Sequence, residues 1–436
     1  MAFDNYEQAV SFIHGRTQFK KIPTLSRMRL FLERLGNPES NLEIIHVTGT
    51  NGKGSTVAFL RELLEEQGLK VGTFTSPFIV RFNERIQINK QMISDEELLI
   101  LVNYIVPVVA QLDKELSEVG GGPTEFEIVT ALMFLYFSRE KVEIAVVEVG
   151  IGGTFDSTNV ISSPLVAVIT TVAHDHAKLL GNTLAQIAGH KAGIIKEERP
   201  VVLGDIPEEA LTVIRKRAAE KNAELYMPSE GYSFKEAHKK IPWGEVIDYE
   251  GFDLAITDLQ TSLMGEFQRE NAAVALSAFL VVARQKKWHV KSKEIRAAIK
   301  KATWPGRFEA VSESPLIVLD GAHNIAAMDM ITKTIKRRFK NQHVYIIAAI
   351  LADKQPREMF VQLSQLPNTT IYATTFAGPR PVAKVAEVTE ESEKIEYSKN
   401  WQEALVEIIA QMSEEDMVLI TGSLYFVSEV RHYFLD

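Results

Sequence analysis

The chain has 436 residues, 46% of them apolar, enough for two or three domains with substantial cores. Cysteine is absent, which excludes disulfides, thiolate metal sites and a cysteine nucleophile. A formal net charge of −9 argues against a general nucleic-acid surface, so an anionic substrate must be met by a few well-placed cations and helix N-termini. The start, MAFDNYEQAV, lacks the basic and apolar stretches of a secretory signal. The most apolar windows, residues 98–110 and 128–137, fall short of the ~20 residues that cross a bilayer. A cytoplasmic monomer that binds small molecules, and neither nucleic acid nor membrane, is the expectation.

From residue 43 the chain alternates short apolar runs with amphipathic ones, the pattern of an α/β protein with a mostly parallel sheet. Residues 43–48 (EIIHVT) predict a strand, 55–67 a helix stopped by Gly68, and 70–74 the next strand. Ser94 with Glu97, Thr124 with Glu127 and Thr183 with Gln186 have capping-box spacing and predict helix starts. The β-branched runs at 143–149 and 165–171 suit buried parallel strands. Between 226 and 263 the pattern shortens into alternating aromatic pieces, read as a small antiparallel patch, followed by helices at 270–284 and 292–301. The Pro-Gly pair in residues 303–307 marks a linker. Beyond it, strands at 316–320, 343–349, 369–373 and 417–421 begin a second series. The expected organisation is two α/β domains: a P-loop-type, mostly parallel sheet with flanking helices over 1–303, and a smaller Rossmann-like domain over 304–436.

HVTGTNGKGST at 46–56 stands between the first strand and the first long helix. Gly49, Gly52 and Gly54 let backbone N–H groups turn inward around an anion, and the helix N-terminus adds partial positive charge. Lys53 supplies a full cation for β- and γ-phosphates, and Ser55 or Thr56 a hydroxyl for Mg²⁺. Thr50, Asn51, Gly52, Lys53, Gly54, Ser55 and Thr56 are therefore assigned to ATP. Gly54 separates Lys53 from Ser55, a departure from the ordinary Walker pattern.

Glu148 ends the apolar run AVVEV, where a buried carboxylate is costly unless a cation meets it, and Mg²⁺ on ATP would do so. Residues 76–87 carry Arg81, Asn83 and Arg85 and could fold over the site to touch anions. His174-Asp-His176 alone is compatible with a metal, a capped turn or neither. Lys191 lies in the apolar stretch HKAGII, suited to a phosphate contact or a snorkelling side chain; once desolvated it loses its proton readily and can react with CO₂. Arg307, just past the linker, is placed to reach a γ-phosphate from the second domain, with closure about residues 303–307. Asp320 and His323 fall at the carboxyl edge of the second sheet, where open α/β sheets bind ligands.

The loop TGTNGKGS resembles the Mur ligase superfamily, and in this wording its folylpolyglutamate synthase branch. The likeness continues through FTSPF at 74–78, RFNER at 81–85, VEVGIGG at 147–153 and DSTN at 156–159. It goes on through Asp175-His176, Leu180-Gly181, KAGII at 191–195, NAA at 271–273, PGR at 305–307, LDGAHN at 319–324 and TGSLY at 421–425. The resemblance implies Ser76, Glu148, His176 and a carbamylated Lys191 as Mg²⁺ ligands, and Asn271 as the adenine contact. Asn271 stands where many members show glutamine, and Gln268 fits that place. The resemblance also implies that Arg81 and Arg85 approach substrate anions, Asp320 the ribose or Arg307, and His323 the nucleotide or acyl phosphate. The backbone at Ser423 would hold the incoming glutamate.

The implied reaction is ATP-dependent addition of L-glutamate to the γ-carboxylate of a folate through an acyl phosphate, with Lys53, Glu148, Lys191 and His323 at its centre. Thr154 stands where bifunctional members often carry arginine, so dihydrofolate synthase activity on dihydropteroate is open. Two other readings compete. A Mur-type peptidoglycan ligase is disfavoured by the lack of a sugar-nucleotide domain of ~100 residues before the phosphate loop. A non-catalytic P-loop switch leaves Glu148, His176 and Lys191 without purpose.

Overall fold

The computed structural model describes residues 2–17, 24–378, 380–384 and 392–435. The chain forms two compact units. One is Met1–Ala237, Ile247–Leu259 and Glu270–Ala302, and the other is His238–Val246, Gln260–Arg269 and Thr303–Asp436.

The first unit is built on β1 (Ile44–Thr48), β2 (Val71–Phe74), β3 (Ile86–Ile88), β4 (Gln91–Met92), β5 (Ile144–Glu148), β6 (Val166–Ile169), β7 (Val201–Leu203), β8 (Leu225–Pro228), β9 (Gly231–Glu236) and the greater part of β10 (Glu245–Gly251) and β11 (Leu254–Thr261). They join in one sheet of order β11-β10-β9-β8-β7-β6-β1-β5-β2-β3-β4. From β8 to β2 every neighbouring pair is parallel, and β1, β5 and β6 are buried along their whole length. That burial explains their continuous apolar sequence, because helices cover both faces of the sheet.

Helix starts follow their side chains. Thr124 accepts from Glu127 N–H while Glu127 accepts from Thr124 N–H, and Thr183 and Gln186 repeat the exchange. Ser94 accepts from Glu97 N–H without the return bond; Glu97 instead pairs with Arg139 at 3.2 Å. The helix after the glycine loop spans Lys53–Glu65, two residues earlier than the apolar pattern suggests, because Gly52 takes the cap. The helix Leu184–Lys191 tightens into a 3₁₀ turn at Ala192–Ile194. The strands between 226 and 263 form no separate patch: β9 and β10 pair antiparallel, and β8 joins them to the main sheet.

The second unit holds β12 (Glu309–Glu313), β13 (Leu316–Asp320), β14 (Val344–Ala348), β15 (Thr369–Ala373), β16 (Ile395–Tyr397) and β17 (Met417–Thr421), in the order β12-β13-β17-β14-β15-β16. All pairs but β12–β13 are parallel. Two excursions from earlier in the chain belong to this unit. Trp243 packs on Phe308 with ring centroids 6.2 Å apart, Met264 enters the core, and buried Glu245 pairs with Arg269 at 3.6 Å and with Arg337.

Candidate active site

Adjacent parallel strands finish at the same edge of a sheet, so the loops leaving β6, β1, β5 and β2 emerge side by side. Those loops carry residues 170–176, 49–52, 149–156 and 75–81, and the sequence-predicted groups of the first unit gather on or beside them.

The glycine loop is held from one side by two threonines at the end of β6. Thr171 accepts from Asn51 N–H at 3.0 Å, and its carbonyl accepts from Thr50 N–H at 2.9 Å. Thr170 Oγ1 donates to Asn51 O at 2.6 Å. A Cβ on Gly49 would lie 1.8 Å from Thr170 Oγ1, and one on Gly52, which sits at φ +84°, would lie 2.3 Å from Asn271 Oδ1. Thr50 Oγ1 donates to Ala173 O and accepts from Ala173 N–H. The Thr50 and Asn51 amides are thus spent on shaping the loop. The backbone N–H groups of Lys53, Gly54 and Ser55 form the first turn of the helix, the kind of helix end that suits an anion.

Lys53 Nζ folds back on its own loop, donating to Gly49 O at 3.1 Å and Thr50 O at 3.3 Å. It lies 3.9 Å from Glu148 Oε1, and the other carboxylate oxygen of Glu148 accepts from Ser76 N–H at 3.4 Å. Glu148 is 3% exposed, so this is a charge pair in a low-dielectric setting. Lys191 is buried as well. Burial, and then the nearby Lys53 charge, push its ammonium well below the usual lysine range, while Asp175 acts the other way.

Asp156 organises the loop after β5: it accepts from Ile151 N–H at 2.9 Å, Thr158 N–H at 3.0 Å and Thr158 Oγ1 at 2.6 Å. Thr158 Oγ1 also contacts His46 Nε2 at 2.9 Å, and burial lowers His46 to about 3, which keeps it neutral. Thr154 is fixed on His190 O through both its N–H and its hydroxyl.

Other predicted groups stand differently. His176 is at φ +51°, with its side chain 40% exposed and Nε2 3.9 Å from Asp175 Oδ2. Arg81 is exposed and paired with Asp95 at 2.9 Å, so an anion reaching it must compete with that carboxylate. Arg85 lies over the rings of Phe78 and Phe82, at 5.1 and 5.5 Å. Asn83 is structural: it donates to Ile93 O and accepts from the Tyr6 hydroxyl.

A magnesium ion favours few protein ligands, a carboxylate and a hydroxyl among them, with phosphate and water oxygens completing its shell. Among the described residues no three His, Cys, Asp or Glu side chains cluster as a metal cage. The donors present fit that sparser pattern. Glu148 and Ser76 are in contact, and buried Thr56 Oγ1 has no hydrogen-bond partner among the described residues.

In the second unit, Asp320 ends β13 and accepts from Phe308 N–H at 2.9 Å and Ala322 N–H at 2.8 Å. Burial raises it to about 6 against the opposing pull of Arg307 and those two amides. His323 Nδ1 is 2.8 Å from Gly321 O. Ser423 lies just before the helix Leu424–Leu435, and its Oγ accepts from Tyr425 N–H at 3.2 Å. β14 adjoins β17, so the loop holding Lys354 leaves the sheet beside Gly422 and Ser423; Ala349 N–H donates to Thr421 O at 3.1 Å. Thr421 Oγ1 is buried and has no hydrogen-bond partner among the described residues.

Sequence reasoning gave no part to Thr170 and Thr171, and quoted Asp175 and Thr421 only within longer motifs. The available signal was position alone: each is a polar residue at or just past the carboxyl end of a strand that neighbours a site strand.

Residues 104–279 match the Mur ligase middle domain, and residues 306–424 the Mur ligase glutamate ligase domain. The chain is 42% identical over 434 residues to the dihydrofolate synthase/folylpolyglutamate synthase of Bacillus subtilis, covering 98% of this chain and 99% of the relative. It is 39% identical to the folylpolyglutamate synthase of Lacticaseibacillus casei, covering 99% of each. Among solved structures, an FPGS-AMPPCP-folate complex superposes with a TM-score of 0.88 at 38% identity, covering 99% of this chain and 100% of that one. The folylpolyglutamate synthase of Mycobacterium tuberculosis, complexed with ADP and AMPPCP, gives 0.89 at 27% identity, covering 99% and 98%.

Proposed function

The chain belongs to the folylpolyglutamate synthase/dihydrofolate synthase family of Mur-type ligases, and on that premise we propose how its own residues carry the reaction. It is an ATP-dependent ligase that adds L-glutamate to folate. The peptidoglycan ligases share only the superfamily, and a non-catalytic switch does not account for this kinship.

A free carboxylate resists attack by an amine because its leaving group is poor. A γ-carboxylate oxygen of the folate attacks Pγ of ATP, the Pγ–O bond to the β-phosphate breaks, and ADP leaves. The glutamate amine then forms the C–N bond at the acyl phosphate, phosphate departs, and the amine proton is released. Lys53 and the first-turn amides of the helix Lys53–Glu65 hold the β- and γ-phosphates. Glu148, Ser76, His176 and a carbamylated Lys191 would hold Mg²⁺, with Thr56 available to it. When bound, the metal supplies positive charge against the transferring phosphoryl group. Asn271, whose side chain abuts Gly52, is assigned to the adenine. From the second unit we assign Arg307 to the γ-phosphate, Asp320 and His323 to the nucleotide and acyl-phosphate end, and Ser423 with Lys354 to the glutamate carboxylates. Arg81 and Arg85 are assigned to the folate side. The working form is taken to be a cytoplasmic monomer; no helix among the described residues is long and apolar enough to cross a membrane.

The observation that carries this reading is the Lys53–Glu148 contact at the mouth of a glycine loop that admits no Cβ at positions 49 and 52. The test is a panel of carboxylate acceptors with ATP, Mg²⁺ and glutamate, with product masses read directly. ADP and phosphate should appear in equal amounts only when a folate and glutamate are both present. ADP release that ignores the acceptor would refute the reading. Dihydropteroate in the panel decides the additional dihydrofolate synthase activity.

A further inference from the structure

Asn271, the residue that abuts Gly52, is preceded by a carboxylate that the mechanism above does not use. Glu270 lies near the start of the helix Glu266–Lys286 and reaches across to the end of β7, where its Oε1 accepts from Asp205 N–H at 2.6 Å. The fit leaves no slack. A Cβ on Gly204 would lie 2.5 Å from that oxygen and 2.1 Å from Thr170 O. Thr170 in turn holds Asn51 O and crowds Gly49. A continuous set of contacts therefore runs from Glu270 through Gly204 and Thr170 into the glycine loop, and a second runs from its neighbour Asn271 to Gly52.

We propose that Glu270 is a positioning residue for the nucleotide: its bond to Asp205 ties β7 to the helix that carries Asn271, and its negative charge, when present, opposes the triphosphate. This rests on the reading that the 49–55 loop binds ATP.

The bond and the charge are separable because the carbonyl oxygen of a neutral carboxylic acid also accepts a hydrogen bond. The charge is present for only part of the accessible pH range. Burial, and to a smaller degree the Asp205 carboxylate, raise Glu270 to about 7 against the Asp205 amide. The titratable groups facing it are Asp205, after β7, and Tyr232, on β9, whose hydroxyl donates to Leu203 O at 2.6 Å. Burial and then Glu270 itself hold that phenol well above its ordinary range, so it stays neutral while Glu270 titrates. Ionising Glu270 as pH rises through neutrality adds a negative charge at the residue before Asn271 and beside the Gly204–Thr170 contact, and nucleotide affinity falls.

The experiment measures Kd for AMPPCP with Mg²⁺ by calorimetry from pH 6 to 8.5, and KM and kcat for ATP and glutamate, in the full chain and in the Glu270→Gln and Glu270→Ala variants. The wild-type Kd should rise about three- to tenfold across that range, a Coulomb effect of one charge at moderate distance. Glu270→Gln keeps the acceptor and loses the charge, so its Kd should lack that rise and lie below wild type at pH 8.5. Glu270→Ala loses the bond, so its KM for ATP should rise at every pH while KM for glutamate stays unchanged. A Glu270→Gln profile that superimposes on wild type, or an alanine variant that weakens both substrates alike, overturns the proposal. A wild-type protein that does not bind AMPPCP defeats the loop assignment itself, a distinct result.

Discussion

Lys53 Nζ and Glu148 Oε1 stand 3.9 Å apart, brought together from a loop after β1 and from the end of β5 because these strands are parallel neighbours. Each makes the other tolerable. Buried Glu148 needs a cation, and Lys53 also donates to the carbonyls of Gly49 and Thr50 in its own loop.

Removing either partner should disable chemistry without unfolding the chain. Lys53→Ala and Glu148→Ala are each expected to lower glutamate-dependent ADP release by at least about 10²-fold, the scale of losing one electrostatic contact to a transferring group. Steady-state ADP release and circular dichroism check this together. A variant with near-normal turnover would contradict the assignment.

Gly49 is irreplaceable for a reason that a second substitution can expose. Gly49→Ala puts a methyl 1.8 Å from Thr170 Oγ1, so KM for ATP should rise at least about tenfold through displacement of the loop. Adding Thr170→Ala removes that hydroxyl and should recover part of the loss, a coupling that a double-mutant cycle measures. Strictly additive effects would show that the clash is not the cause.

Burial, and then the Lys53 charge, pull the Lys191 ammonium well below the ordinary lysine range, which favours the neutral amine that reacts with CO₂. Activity should fall when bicarbonate is depleted and return when it is restored. Lys191→Ala should be inactive and partly rescued by formate or acetate. A wild-type rate indifferent to bicarbonate, with an unmodified lysine by mass, would leave Lys191 as a phosphate contact instead.

Asp320 ties stability to pH. Its folded value of about 6 exceeds the ordinary 3.8, so the folded state holds the proton more tightly. The stabilisation this brings is complete below about pH 4 and is lost as pH rises through 6. Asp320→Asn should therefore gain in Tm relative to wild type between pH 4.5 and pH 8, measured by thermal denaturation at both. An unchanged difference would mean the burial penalty is already relieved.

Much of the first unit was legible because its signals are local. The strand, glycine loop and helix from Ile44 to Glu65 follow from β-branched runs and three glycines, and the Thr124 and Thr183 boxes formed as spaced. The Ser94 box formed only by half, since Arg139, far along the chain, draws Glu97 away. The strands from 226 to 263 looked separate because short alternating pieces carry no mark of the sheet they extend. Thr170 and Thr171 escaped for a related reason: they hold the glycine loop because β6 lies beside β1, a pairing across more than a hundred residues that no local pattern encodes.

The second unit draws in His238–Val246 and Gln260–Arg269, long before its main body begins at Thr303. An excised C-terminal fragment would begin without Trp243 against Phe308 and with Arg337 deprived of Glu245. One cut in the linker therefore parts these packed partners and leaves both halves with uncovered surfaces. Insertions and fusions are better sought at surface loops that leave both excursions in place.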